Sequence, residues 1–458
     1  MSRYKELTIS VLGGGGEIGA NTIEVCYGSE RVLLDCGIHP KKEGYESLPE
    51  FDMMSGFPDA VLVTHGHVDH CGSLPYLTRL FSHFRVHATL PTIRIIERML
   101  HNSVMVMSTL RREKGIVEYP LYTHEDVETL MEITRAHLYK EYFEVSPHGI
   151  IKALFNPAGH VLGSASILLE IDGYRIFYTG DISGGYQELL GPYEPMEWVD
   201  YVNTIIMECT QGAVDETQVN SYFDEALNLA RAINRVVENS GSVLIPTFAL
   251  GRTQEIANIL ARLQESGELV KVPIYISGLG RAIYEIYEQF KEYLNEKSTL
   301  RPLRTFRKLG NVLDKNVVKQ LIANPSIIIA TSGMMVESTP SALIAERMVT
   351  EKHHGIFFVG YVDPDTLGYK LLNAKEGDKL VFQLEAEPVE VKLQNIRRFH
   401  FSGHAYRSTL LKMVDDYHPE NVIIIHGDPP ALEWMREQLK DKYNCIMPSN
   451  GERISFQI

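Results

Sequence analysis

Ala60-Val61-Leu62-Val63-Thr64-His65-Gly66-His67-Val68-Asp69-His70 is the stretch on which the reading of this chain turns. Its apolar start reads as a buried strand. The polar run that follows puts His65 and His67 two apart on a turn, with Asp69 and His70 at the next bend. Imidazole and carboxylate groups converging at a strand end suit zinc or a related divalent ion. The run holds more ligands than one economical site uses, so others are expected to complete two sites. His160 in Pro157-Ala158-Gly159-His160, Asp181 in Tyr178-Thr179-Gly180-Asp181 and His426 in Ile425-His426-Gly427-Asp428 each stand beside a glycine at a strand end. Singly, such residues can be turn or cap groups. As a set they favour a binuclear site bridged by Asp181. Two ions about 3.5–4 Å apart lower the pKa of a shared water and stabilise charge in a displacement at phosphorus.

Outward from that stretch the chain reads as an α/β protein. Strand patterns cover Leu7 to Leu12, Thr22 to Tyr27, Arg31 to Leu34 and Ala60 to Val63. Helical periodicity covers Leu90 to Leu110 and His124 to Tyr139, and strands return at Ser166 to Ile171, Tyr174 to Tyr178 and Thr204 to Met207, ending at Glu208. From about residue 210 strands and helices alternate at greater length, with helices expected over Asp215 to Glu238, Thr253 to Ala261 and Arg281 to Tyr293. That rhythm predicts a parallel-sheet domain. The Gly13 to Gly16 run with Gly19 is not a dinucleotide fingerprint, because a strand rather than a helix follows. It predicts a tight loop near the metals.

Composition narrows the function. The 458 residues predict two or three domains, and 44% hydrophobic with 22% charged residues is ordinary for a globular chain. No apolar run is long enough to span a membrane and the start lacks a secretory apolar region, so cytoplasm is the expected location and no membrane partner is expected. Five cysteines without a CxxC pair fit reduced thiols rather than a disulfide framework. A net charge of -15 disfavours broad attraction to nucleic acid but leaves room for a locally basic cleft. Arg301, Arg304, Arg307 and Lys308 around Phe306 form the one compact basic cluster, a candidate grip on RNA or a solvated face.

These residues resemble the metallo-β-lactamase superfamily, through Asp35 after Val32-Leu33-Leu34, the His65/His67/Asp69/His70 run, His160, Asp181 and His426. The resemblance implies that His65, His67 and His160 hold one zinc, that Asp69, His70 and His426 hold the other, and that Asp181 lies between them. The expected cofactor is two Zn2+, with Mn2+ as the alternative. Asp35 would hold the ligand turns. More narrowly, nearly the whole chain resembles the β-CASP nucleases. Glu208 after Ile205-Ile206-Met207 matches their acidic motif, His404 in Phe401-Ser402-Gly403-His404 the next, and His426 the third. Pro246 to Glu255, Thr331 to Met335 and Gly360-Tyr361 extend the match.

The implied architecture is a four-layer αβ/βα metallo-β-lactamase fold at 1–208 and 396–458, with an α/β β-CASP domain inserted at 209–395 that covers the metal face. The implied reaction is hydrolysis of RNA, expected to be single-stranded, by a bridging hydroxide that leaves a 3′-hydroxyl and a 5′-phosphate. Asp35, Asp69, Glu208 and His404 are the expected catalytic groups. His404 would protonate the leaving oxygen, with Glu208 orienting its ring. Arg252, at the start of a helix, is a candidate phosphate contact or a packing ion pair. Ser332 and Gly333 are likewise candidate phosphate contacts or a tight turn. The ligands do not distinguish internal from 5′-end cutting. Departures from the family pattern, Cys209 to Asp215 without the expected arginine, Asp428, and Val336-Glu337-Ser338, bear on substrate choice. They keep a hydrolase of smaller phosphoesters open as an alternative, with a noncatalytic scaffold as the third reading. Selection of a particular RNA would fall to the cleft, a homodimer surface or a partner.

Overall fold

The computed structural model describes residues 6–383 and 386–458. They form two compact units: one comprises the residues up to Gly185 with Gly191–Glu216 and His404–Ile458, the other Tyr186–Leu190 with Thr217–Gly403.

The first unit is built on two seven-stranded sheets. In one, the order is Arg453–Gln457, Glu6–Gly13, Thr22–Tyr27, Glu30–Leu34, Ala60–Leu62, Arg85–Thr89 and Thr134–His137. In the other it is Asn444–Ile446, Asn421–Ile424, Thr204–Met207, Tyr174–Tyr178, Ala165–Ile171, Ile151–Pro157 and Tyr142–Glu144. Alternation along each strand supplies both faces. Leu62 joins Ile9, Val25, Ile167 and Ile176 in the core between the sheets. Val61 and Val63 turn the other way, under the helices Leu74–Leu80, Leu90–Lys114 and His124–Ile133. Arg407–Tyr417 and Pro429–Leu439 cover the outer face of the second sheet through Leu410, Val414 and Met435. The result is the four-layer αβ/βα arrangement.

The expected helix over His124 to Tyr139 is shorter. It opens with a capping box between Thr123 and Asp126 and stops at Ile133. Thr134–His137 then pairs in parallel with the strand Arg85–Thr89, so an edge-strand ladder takes over where helical periodicity could have run on. The expected helix from Asp215 similarly begins only at Tyr222, where the Ser221 side chain accepts from Asp224 N–H.

The second unit carries an all-parallel sheet in the order Arg307–Lys308, Ile274–Ile276, Ile327–Ala330, Val243–Pro246, Gly355–Phe358 and Asn395–Arg398. Val243 and Ile245 meet the helices Tyr222–Glu238 and Arg252–Ser266 on one face. Leu244 and Ile328 meet Pro340–Met348 on the other, giving a doubly wound unit.

The compact units divide after Glu216 and Gly403. Cys209 N–H donates to His426 O and Gln211 bridges Tyr406, which ties this segment into the first unit. Asn395–Arg398 hydrogen-bonds along Gly355–Phe358, which ties that strand into the second. Among the described residues no helix is long and apolar enough to cross a membrane. All five cysteines are free thiols.

Candidate metal centre

Parallel pairing collects the chemistry at one edge. Tyr174–Tyr178, Thr204–Met207 and Asn421–Ile424 run side by side, with Tyr178 opposite Ile206 and Met207 opposite Ile424. Asp181, Glu208 and His426 therefore leave their strands at the same level. In the other sheet Glu30–Leu34 and Ala60–Leu62 are parallel with Leu34 opposite Leu62, which brings Asp35 beside the His65 turn. Thr64 O accepts from Ala165 N–H at 2.8 Å and joins the two sheets at this edge.

Ligand-type atoms of His65, His67, His160 and Asp181 lie within 4.8 Å of one another, as do those of Asp69, His70 and His426 and those of Asp181, Glu208 and His404. His67 Nδ1 is 3.0 Å from His65 Nε2 and 3.2 Å from His160 Nε2. Asp181 approaches both groups, with Oδ2 at 3.6 Å from His65 and His160 and Oδ1 at 3.3 Å from His70. His426 lies 3.4 Å from both Asp69 and Asp181. Imidazole nitrogens facing one another around the buried Asp181 carboxylate form a donor set that a cation would satisfy. These residues fit a divalent metal.

The rings are held from behind. Buried Asp35 accepts from Thr64 N–H at 2.7 Å, from the Thr64 hydroxyl, from His70 Nδ1–H at 2.8 Å and from the Tyr178 hydroxyl at 2.7 Å. His65 Nδ1 lies 3.0 Å from Thr64 Oγ1, and His426 Nδ1 lies 3.2 Å from Thr210 Oγ1. Such outer partners set the tautomer and aim the opposite nitrogen. The backbone is left-handed at Asp35 (φ 59°) and His426 (φ 47°), conformations that cost energy for residues with a Cβ. Gly37 is required by contact, because a Cβ there would lie 1.7 Å from Asp69 O. The glycine loop also reaches this edge, with Gly14 O accepting from His426 N–H at 2.8 Å.

Electrostatics separate the imidazoles. Burial and the neighbouring His70 hold His65 well below its ordinary value, so its ring is neutral. Burial opposes charge on His70 as well, but the Asp181 and Asp35 carboxylates outweigh it and push that ring up. At His404 burial again works against protonation, and the Glu208 charge and hydrogen bond raise it to about 9. His404 Nδ1–H donates to Glu208 at 3.1 Å, while Glu208 is itself fixed by Ile182 N–H at 3.0 Å and Thr210 N–H at 3.1 Å. The His404 and His160 rings are 4.6 Å apart.

The candidate substrate contacts sit in the second unit and are otherwise engaged. Arg252 is buried at the first turn of its helix and donates to the Gln187 side chain and to Phe401 O, which are neutral partners rather than the carboxylate of an ion pair. The Ser332 hydroxyl accepts from Val336 N–H at 3.0 Å within a turn, and a Cβ on Gly333 would lie 2.8 Å from Phe248 N. In the basic cluster Arg301 pairs with Glu188 and Glu265, and Phe306 is buried, unable to stack on a base. Sequence reasoning missed Tyr178, Thr64 and Thr210 around the rings. Tyr178 and Thr64 flank the named motifs, but neither spacing nor periodicity marks them.

A two-sheet αβ/βα frame with an imidazole–carboxylate cluster on one edge defines a metallo-hydrolase. Three family models match: "Metallo-beta-lactamase superfamily" over residues 15–211, "Beta-Casp domain" over 253–371 and "Zn-dependent metallo-hydrolase RNA specificity domain" over 388–448. The chain is 32% identical over 423 residues to an RNase J-like protein of Methanocaldococcus jannaschii, covering 91% of each. It is 30% identical over 467 residues to cleavage and polyadenylation specificity factor subunit 3 of Dictyostelium discoideum, covering 98% of this chain and 57% of that one. A crystal structure of a protein of unknown function from Enterococcus faecalis V583 shares the fold, with a TM-score of 0.59 at 16% identity over 98% of this chain and 100% of that one. The chain belongs to the β-CASP family of the metallo-β-lactamase superfamily.

Proposed function

We propose that this chain is a zinc-dependent ribonuclease that hydrolyses RNA phosphodiester bonds at the edge carrying His65, His67, Asp69, His70, His160, Asp181 and His426. The observation that carries this reading is the pairing of the metal-ligand cluster with a separate proton donor: His404 and Glu208 converge with Asp181 but are held by their own hydrogen bonds. His65, His67 and His160 would hold one ion, and Asp69, His70 and His426 a second, with Asp181 shared. When bound, a pair of divalent ions supplies Lewis acidity toward phosphoryl oxygens and an acidified water.

The chain's own residues do the rest. Asp35, fixed by Thr64 and Tyr178, keeps the His70 ring in one orientation. Glu208 accepts the Nδ1 proton of His404, so Nε2 is the nitrogen from which a proton is delivered to the departing ribose oxygen. Divalent charge held at the cluster would act against the upward shift of His404 and favour its giving up a proton. The match to the RNase J-like protein and to the cleavage and polyadenylation subunit supports RNA as the substrate.

The test is incubation of metal-replete protein with RNA labelled at both ends, beside DNA of the same length and the His404→Ala variant. Cutting of RNA that is lost in the variant is expected, and the fragment pattern separates internal from 5′-end cutting. Intact RNA with two metals bound would turn the assignment toward a smaller phosphoester.

A further inference from the structure

We propose that the second unit carries an arginine groove that binds the sugar–phosphate backbone of single-stranded RNA, formed by Arg231 and Arg235 on one wall and Arg397 and Arg398 on the other. This deepens the ribonuclease reading and rests on it. The groove has a volume of about 340 Å³ and is lined by these arginines together with Asn228 and His400. One wall is a stripe of the helix Tyr222–Glu238, where Asn228, Arg231 and Arg235 stand three and then four positions apart and so share a face. The other is Asn395–Arg398, the edge strand of the parallel sheet, whose outer side has no neighbouring strand among the described residues.

Charge makes the groove distinctive in a chain with a net charge of -15. All four arginines are exposed, and none forms an ion pair among the described residues. Arg231 donates to Asn228 and Arg398 to Gly360 O, contacts that orient a guanidinium without neutralising it. One acid, Glu225, lines the groove, and it is buried and turned inward: it accepts from His400 N–H at 2.6 Å and from Asn220 Nδ2 at 2.7 Å. Guanidinium forks without acidic partners suit phosphate oxygens. Outside the groove lining, the same helix begins with Tyr222 and exposed Phe223, the latter 4.9 Å from exposed Tyr186, and such aromatic faces are of the kind on which unpaired bases stack. The basic cluster at Arg301 differs on both counts: Arg301 is spent on two glutamates and Phe306 is buried.

The experiment titrates full-length protein and its Arg235→Ala/Arg397→Ala variant against fluorescein-labelled single-stranded RNA with a hydrolysis-resistant phosphorothioate backbone, over a series of salt concentrations. Each phosphate contact on a single strand adds about 0.7 to the slope of log affinity against log salt, so two lost contacts lower it by about 1.4, or about 25-fold in affinity across one decade of salt. The Arg235→Lys/Arg397→Lys variant should keep the slope, since it keeps the charge. Unchanged affinity and slope in the alanine variant would overturn the groove, as would weaker binding with an unchanged slope, which reports disturbed packing. Tighter binding of polyglutamate than of RNA would assign the groove to an acidic protein and also overturn it. If the unaltered protein neither binds this RNA nor cuts ordinary RNA, the ribonuclease reading itself fails.

Discussion

Among the described residues, a cluster in each unit brings histidine and carboxylate together, and the two are built in opposite senses. At the edge of the first unit, His70 Nδ1–H is tied to Asp35 and His65 Nδ1 lies against Thr64, so the far nitrogens face the interior of the cluster. In the second unit Glu351, His353 and His354 also place ligand-type atoms within 4.8 Å. There the Nδ1 of His354 accepts from Ser242 N–H at 3.1 Å, which leaves the ring proton on Nε2, the atom 3.8 Å from Glu351. A proton points where a metal would need a lone pair, and Glu351 is already paired with Arg347 at 2.9 Å. Convergence of the right residue types is therefore not sufficient. The hydrogen bond on the far side of each ring decides whether it can ligate.

The largest effect should come from His404, which lies beside the first cluster without being one of its seven proposed ligands. His404→Ala should lower RNA cleavage about 10²–10⁴-fold, the usual contribution of a proton donor, with metal content by atomic absorption unchanged. Loss of zinc in that variant would make His404 a ligand instead. Next, Asp35→Asn should lower metal affinity or activity about 10–100-fold by loosening His70, and Tyr178→Phe should act in the same direction more weakly. Chelator competition measures both. If either variant binds zinc as tightly as the parent, support from behind the rings is not what distinguishes the clusters.

Acid should act on both units. Burial and neighbouring His137 lower His87 to about 3, and burial and neighbouring His353 lower His354 to about 4. Both fold as neutral rings, so below their ordinary value of 6.5 the unfolded chain binds the extra protons. Their contribution is complete above pH 6.5 and is lost as pH falls toward 4 and then 3. Melting followed by circular dichroism should show this decline, and His87→Leu should flatten its lower part; an acid limb as steep as before would exclude His87 as its source. The smallest effect is expected from His353→Ala/His354→Ala, which should leave the zinc stoichiometry unaltered. A fall in bound zinc would break the comparison outright.

Much of the centre was legible because it is local. His65, His67, Asp69 and His70 lie within six residues, and Asp181, Glu208 and His426 each follow an apolar run that reads as a strand, whereas the strand Ile151–Pro157 before His160 had no such reading. Asp35 was legible as a strand-end acid, but its three side-chain partners were not, since Tyr178 and Thr64 reach it from other strands. For the basic groups the two readings, RNA grip or solvated face, could not be separated for the same reason. Arg301, Arg304, Arg307 and Lys308 stood out as closely spaced charge, and tertiary packing spent Arg301 on Glu188, which is remote in sequence.

By itself, then, the sequence determined the residue types, the strand-end placement of the proposed ligands and the strand–helix rhythm of a parallel-sheet unit, and it implied the αβ/βα frame through its resemblance to the superfamily. Periodicity and short motifs depend on neighbours along the chain, and those are written in order. Only the tertiary structure decided that His124 to Tyr139 would split into a helix and an edge strand, that Arg252 would be buried in packing, and that Arg231 and Arg235 would face Arg397 and Arg398. These outcomes depend on partners far away in the chain, and pairing, burial and charge compensation take their value from whichever groups the fold brings within a few ångströms.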